Sequence, residues 1–549
     1  MSKFHQYFFT CLLILCVTCL SNCAKRGFIS GGPLDTIPPV VLKSSPENYS
    51  IHFDKDVITI EFDEFIKLKN INQNLIVSPP LKNNPEVSPM GSPKKIMTIK
   101  LKDTLYENTT YSFNFGDAIT DNNEGNVLPQ FKYVISTGSY IDSLKLNGTI
   151  QSAHKLKTDN FVNIMLYDAK TFTDSTVYKQ KPLYITNTLD SLTTFSIENI
   201  KAGTYYLLGL KQKTNNYLFN PDQDKIAFIK DSIVIPTDQA YNLVLFKSEE
   251  KFEAKRPSQI SENKWYLPYK GNAKDAVIKV TKNDSLIKSV YTPFEGKDSL
   301  QVWFPKVIAD SLHITISKAD YLQTFSVRPR VKMKEIDTLR ITAKNNTIDF
   351  KENFTLTTTT PIAEIKKNLI QISSKDSLPV TFEIQEILAE QKVRLLFDKM
   401  PEELYSIEIL PQALTDFFGN TNDTLRYALK TTKHSDYGNL NLNLTQVKRY
   451  PIIIELIDEQ EKVYASQTAD KPQKIAFELL PPRKYFVRIT YDDNGNGQWD
   501  TGYYWDKLQP EETFYSTEPI DVRANWDINQ DLDVSIKIAP KLPSPLKKK

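Results

Sequence analysis

Cysteine is missing from nearly all of this chain. Its only four, Cys11, Cys16, Cys19 and Cys23, lie at the start of 549 residues. Beyond Cys23 the sequence can build no disulfide, no thiolate metal site and no cysteine nucleophile. Histidine is scarce as well: His5, His52, His154, His313 and His434 share no paired spacing, so each reads as a surface or strand residue rather than a zinc ligand. No apolar run after Leu20 approaches the roughly 20 residues that a membrane-crossing helix needs. A net charge of +2 gives no field for collecting nucleic acid, which is not expected as a partner. A Gly-x-Ser-x-Gly elbow, a phosphate-cradling glycine loop and a dinucleotide fingerprint are all missing. The expectation is a chain that is not an enzyme and requires no cofactor.

What the sequence does contain begins at its N-terminus. Lys3 precedes the apolar stretch Phe8 to Leu20, too short to span a bilayer and patterned as a cleavable signal. Leu20-Ser21-Asn22-Cys23 resembles a bacterial lipobox, which implies that residues 1–22 are removed and that Cys23 carries a lipid. Residues 23–37 then read as a flexible stalk, because Gly31-Gly32-Pro33 and Pro38-Pro39 resist regular structure. The run after that cysteine, Ala24-Lys25-Arg26, is basic; resemblance to Bacteroidota lipoproteins, in which surface export goes with acidic residues there, implies a periplasm-facing protein held on the outer membrane. At the other end, residues 541–549 read as a disordered basic tail.

Between these ends the pattern is β. Tyr and Phe number 27 and 29, and apolar residues alternate at Ile58, Ile60 and Phe62, at Met97, Ile99 and Leu101, and at Tyr111, Phe113 and Phe115. Asp35-Thr36-Ile37-Pro38-Pro39, Ser45-Pro46, Asp63-Glu64 and the turn Asp121 to Asn126 resemble the bacterial Ig-like domain of surface-layer proteins and Bacteroidota lipoproteins, over residues 38–138. That resemblance implies a structural or interaction module without catalytic residues. Leu404-Tyr405-Ser406-Ile407 and Asp416 to Asn420 repeat the pattern, predicting a second, divergent Ig-like domain at 341–433. Tyr205 through Asn220 overlays Tyr485 through Asp500 without gaps. The run Ala202-Gly203-Thr204-Tyr205 resembles prealbumin-like or carboxypeptidase-regulatory-like sandwiches, implying such domains at 140–247 and 438–540. Residues 251–340 read as a β domain of unassigned type. The predicted fold class is all-β, a tandem of β-sandwiches behind a lipidated N-terminus.

One stretch carries coordination chemistry. Asp492, Asn494 and Asn496 at alternate positions, Gly497 at the turn, a carbonyl at Gln498 and a carboxylate at Asp500 reproduce the first nine positions of an EF-hand calcium loop. Tyr503 stands where that loop needs a bidentate glutamate, so Asp506 or a main-chain carbonyl would have to complete the shell. The competing reading is a bare hairpin turn, in which Asn494-Gly495 and Asn496-Gly497 supply positive φ. Both stand at this point. Trp265, Trp303, Trp505 and Trp526 could stack on sugars, although a sandwich more often places tryptophan in a core or interface. The sequence thus predicts an envelope scaffold that binds an unnamed protein partner. A glycan-binding lipoprotein and a polysaccharide-processing enzyme are the alternatives.

Overall fold

A computed structural model describes residues 35–188, 193–294, 296–330, 337–344, 346–387 and 391–539. The predicted signal, the predicted lipidation site Cys23, the first part of the predicted stalk and the predicted basic tail lie outside these residues. The chain divides into two compact units, Met1–Val77 with Leu81–Ile141 and Ser78–Pro80 with Asp142–Lys549. Among the described residues helix is confined to single turns such as Ile71–Asn74 and Thr176–Lys179, and no described helix is long and apolar enough to cross a membrane.

In the first unit the period-two pattern becomes a sandwich. Val41–Ser45, Val57–Leu68, Lys94–Lys100 and Glu86–Ser88 form one sheet in that order, with Ile119–Asp121 on the far half of the long strand. Ile76–Ser78, Thr110–Asn114 and Lys132–Ser136 form the other. Ile58, Ile60 and Phe62 alternate inward to meet Met97, Ile99, Tyr111 and Phe113, all buried. Asp121 closes the predicted turn by accepting the amides of Glu124, Gly125 and Asn126, each at 2.8 Å. An aspartate suits this place because its short carboxylate can collect several amides at once.

The second unit contains a sandwich with the same strand order. Ile341–Ala343, Phe354–Thr358, Lys392–Leu396 and Glu383–Ile387 line up as their counterparts do, and Ile370–Ser373 and Leu404–Ile409 with Leu425–Lys430 face them. Here the long strand is split into Phe354–Thr358 and Ile362–Ile365, and Pro361, which has no amide to donate, sits in the break. Tyr111 and Tyr405 occupy matching places, each accepting the amide five residues back, Tyr106 at 2.9 Å and Met400 at 2.7 Å.

A second pair of sandwiches in this unit shares another order. In one, Tyr184–Asn187, Asn163–Asp168, Gly203–Lys211 and Lys225–Phe228 form a sheet that Ile233–Ile235 also joins. Its facing sheet is Thr194–Ile200, Leu144–Ser152 and Tyr241–Leu245, the last pairing parallel. In the other, Val463–Ala469, Ile452–Ile457, Arg483–Tyr491, Thr513–Tyr515 and Ile520–Val522 face Ile475–Leu480, Gly438–Thr445 and the parallel Asp527–Asp533. Tyr205 donates its hydroxyl to Lys201 O at 3.0 Å and Tyr485 donates to Pro481 O at 2.7 Å, so the same corner is pinned in both. Between these, Lys264–Lys270, Ser299–Trp303 and Val290–Pro293 pack against Val277–Lys282, Leu312–Lys318 and Tyr321–Val327 around Trp265, Leu267, Val280 and Ile314.

Candidate functional site

Gly203–Lys211 and Arg483–Tyr491 are equivalent central strands, and each feeds a long loop, residues 212–224 in one sandwich and 492–512 in the other. The second loop contains the predicted calcium residues. Asp492 is 3% exposed and spends both carboxylate oxygens on its own loop, accepting Asn496 N at 3.0 Å and Gly497 N at 2.8 Å. Asn494 Oδ1 accepts the same Asn496 amide at 3.0 Å, and Asn496 Oδ1 accepts Gln498 N at 2.8 Å. The side-chain amides of Asn494 and Asn496 both donate to Asp500 Oδ2. Gly495 and Gly497 take φ of 71° and 75°, the left-handed region that glycine enters without a Cβ penalty.

The oxygen donors suit a hard cation, but the geometry is that of a closed turn. An ion at Asp500 would require both asparagine amides to turn over and present oxygen instead. Among the described residues, no three His, Cys, Asp or Glu side chains converge as a metal site. Asp493, one of the loop's carboxylates, points elsewhere, pairing with Arg449 at 2.5 and 2.9 Å, and that guanidinium holds it below the usual aspartate range. Asp506 is exposed.

The carboxylate that organises the loop was not singled out in the sequence. Glu511 is buried and bridges the two ends of the turn, accepting Asp493 N at 2.8 Å and Asp500 N at 3.0 Å. Burial pushes it above the ordinary glutamate value, although those amides pull the other way; the charges of Asp500 and Asp492 add to the rise. Asp224 does the same in the other sandwich, accepting Lys213 N at 3.2 Å and Asn220 N at 2.9 Å. Lys213 and Asn220 are the residues that the gap-free overlay sets against Asp493 and Asp500. The feature common to both loops is therefore a bidentate carboxylate clamp. The 212–224 loop does contain a carboxylate, just outside the window compared by overlay.

The remainder of the 492–512 loop reaches across to the 140–247 sandwich. Trp499 stacks on His154 with ring centroids 4.4 Å apart and planes at 14°. His154 Nδ1 is buried without a hydrogen-bond partner, and burial, reinforced by the charge of Arg488, pushes this histidine down to about 4. It thus departs from the plain surface or strand role expected of the five histidines.

The four tryptophans do not assemble into a sugar platform. Trp265 and Trp303 are 2% and 0% exposed and belong to the middle sandwich, where Trp303 Nε1 donates to Thr292 Oγ1 at 3.0 Å. Trp505 and Trp526 are exposed, but Trp505 lies flat on Tyr178 and Trp526 lies under Arg523.

Against known proteins, the first sandwich gives the clearest result. Residues 35–137 match the bacterial Ig-like domain. No curated protein matches the chain. Among solved structures it is similar to surface layer protein SbsC, domains 1–6, at 12% identity over 88% of this chain and 67% of that one, with a TM-score of 0.15. It is also similar to a Bacteroides ovatus mixed-linkage glucan utilization locus protein, SGBP-B, solved with a mixed-linkage heptasaccharide. There the identity is 10% over 68% of this chain and 93% of that one, with a TM-score of 0.17. Superpositions this loose carry no argument about function.

Proposed function

We propose that this chain is a non-catalytic outer-membrane lipoprotein of a Bacteroidota-like bacterium, anchored at Cys23, facing the periplasm, and serving as a scaffold for protein interaction in the envelope. The observation that carries this reading is the bacterial Ig-like match at residues 35–137 followed by further two-sheet sandwiches, each filled by its own apolar core. Such modules present surfaces on a rigid frame, and function then resides in what those surfaces bind. The shared strand order of 140–247 and 438–540 supports assigning both to the prealbumin-like class. The test is fractionation of cells expressing the chain and its Cys23→Ala variant, with protease added to intact cells. The parent should sediment with the outer membrane and resist the protease, and the variant should remain unprocessed or become soluble. A mature, membrane-bound Cys23→Ala protein would sink the anchor, and loss of the ectodomain from intact cells would sink the orientation.

We further propose that the loop takes calcium through Asp492, Asn494, Asn496, Gln498 and Asp500 as a weak local staple with no catalytic role. Support comes from the alternating oxygen donors and from the mutual repulsion by which the charges of Asp500 and Asp492 add to the rise of Glu511, a charge that a cation would neutralise. With no glutamate at the twelfth position, the dissociation constant belongs in the roughly 10⁻⁴ to 10⁻³ M range of extracellular modules. Melts of the whole ectodomain in millimolar calcium and in chelator should differ, and Asp500→Ala should abolish the difference. Identical parent melts would leave the loop a plain turn.

A further inference from the structure

Residues 501–509, which the shorter 212–224 loop has no room to match, contain a set of groups that all engage the 140–247 sandwich and the few residues after it. Thr501 Oγ1 donates to Lys247 O at 2.6 Å, Glu249 N donates to Gly502 O at 2.9 Å and Tyr504 N donates to Ser248 Oγ at 3.1 Å. Gln509 Nε2 donates to Phe228 O at 3.0 Å, and Lys507 pairs with Asp174 at 2.7 Å. The first, third and fourth of these bonds join residues 254, 256 and 281 positions apart. Tyr504 is 1% exposed and sits edge-on to Tyr178, Phe219 and Phe228, with centroids 6.1, 5.9 and 5.5 Å away. Trp505 stacks on Tyr178 at 5.3 Å. Gly502 is obligatory here: a Cβ would come within 2.6 Å of both the Phe246 ring and Leu508 O.

We propose that residues 499–509 are a built-in ligand, an aromatic hairpin held by an aromatic socket on the 140–247 sandwich, so that these two sandwiches stay joined independently of the backbone between them. Tyrosine and tryptophan anchors in desolvated pockets dominate the energy of interfaces between proteins, and this contact has that composition. Because both sandwiches belong to one chain, the contact is an intramolecular one and needs no second molecule to form. The Tyr504 hydroxyl has no hydrogen-bond partner, so the ring is held by packing and not by its oxygen. A pull applied between the two sandwiches would be borne by the hairpin before it reached the modules at 251–433. This inference does not rest on the envelope assignment and would hold for a protein in any compartment.

The test replaces residues 331–336 of the full chain with a protease recognition sequence and follows the cut protein by size exclusion over a dilution series. The cut parent should elute as one particle containing both fragments. Trp303 against Phe418 also bridges the cut, so the decisive measure is the effect of hairpin variants on the concentration at which the fragments separate. Trp505→Ala, at a position 47% exposed, should raise that concentration tenfold or more, and Tyr504→Ala should raise it further. Tyr504→Phe should hold the fragments at least as tightly as the parent. Separation of the cut parent at micromolar concentration, or equal behaviour of parent and Trp505→Ala, would overturn the proposal.

Discussion

At the scale of single residues, the loops are set by carboxylates that bind amides. Glu511→Gln would set an NH2 against one of two half-buried amides, and Asp224→Asn would do the same in its own sandwich. Each substitution should lower stability by about 1–3 kcal/mol, the cost of a buried donor left without a partner, as read from urea denaturation. An unchanged midpoint would mean that the clamp does not hold the loop. His154 makes a pH prediction. Its folded value is pushed down to about 4 from the ordinary 6.5, by burial first and by Arg488 second. An unfolded chain takes up the proton below about 6.5, whereas the folded chain resists it, so stability should fall as pH drops from about 6.5 to about 4. Nearby, Arg488 is paired with Glu455, and Glu461 accepts the Leu156 amide. His154→Phe should flatten that part of the pH profile and leave the Trp499 stack in place; an equal slope in the variant would assign the dependence to other groups.

At the scale of elements, legibility followed locality. Strands such as Val57–Leu68, Lys94–Lys100 and Thr110–Asn114 were readable because a sheet with one wet face alternates side chains at a period of two, and Ile58, Ile60 and Phe62 obey it. The aspartate turn at Asp121 was readable because its partners lie within five residues. The Glu511 and Asp224 clamps were not, since the gap-free overlay of Tyr205 and Tyr485 stops before the loops diverge in length. The socket for Tyr504 was illegible for a stronger reason: its walls come from Tyr178, Phe219, Phe228 and Phe246, on a helical turn, a loop, a strand and a strand end, and only the folded sandwich brings them together. Burying so large a ring predicts a loss of about 3–5 kcal/mol for Tyr504→Ala in the uncut chain, measured by chemical denaturation. A change under about 1 kcal/mol would show that the ring contributes little.

At the scale of the whole molecule, a series of sandwiches offers surface and rigidity, and composition had already pointed there through its aromatics, its alternation and its near-neutral charge. Which partner those surfaces hold was never written in the sequence, because recognition depends on side chains scattered over separate strands. The tryptophans illustrate this. Identical in sequence terms, two fill a core, one lies on Tyr178 and one lies under Arg523. The central claim is that this chain is an envelope scaffold engaged by protein. It is tested most directly by crosslinking in living cells, followed by mass spectrometry of the outer-membrane fraction. The account predicts that the chain is recovered in that fraction, covalently joined through surface residues of its sandwiches to a small and reproducible set of envelope proteins. Recovery in the soluble fraction, or adducts to polysaccharide with none to protein, would contradict it.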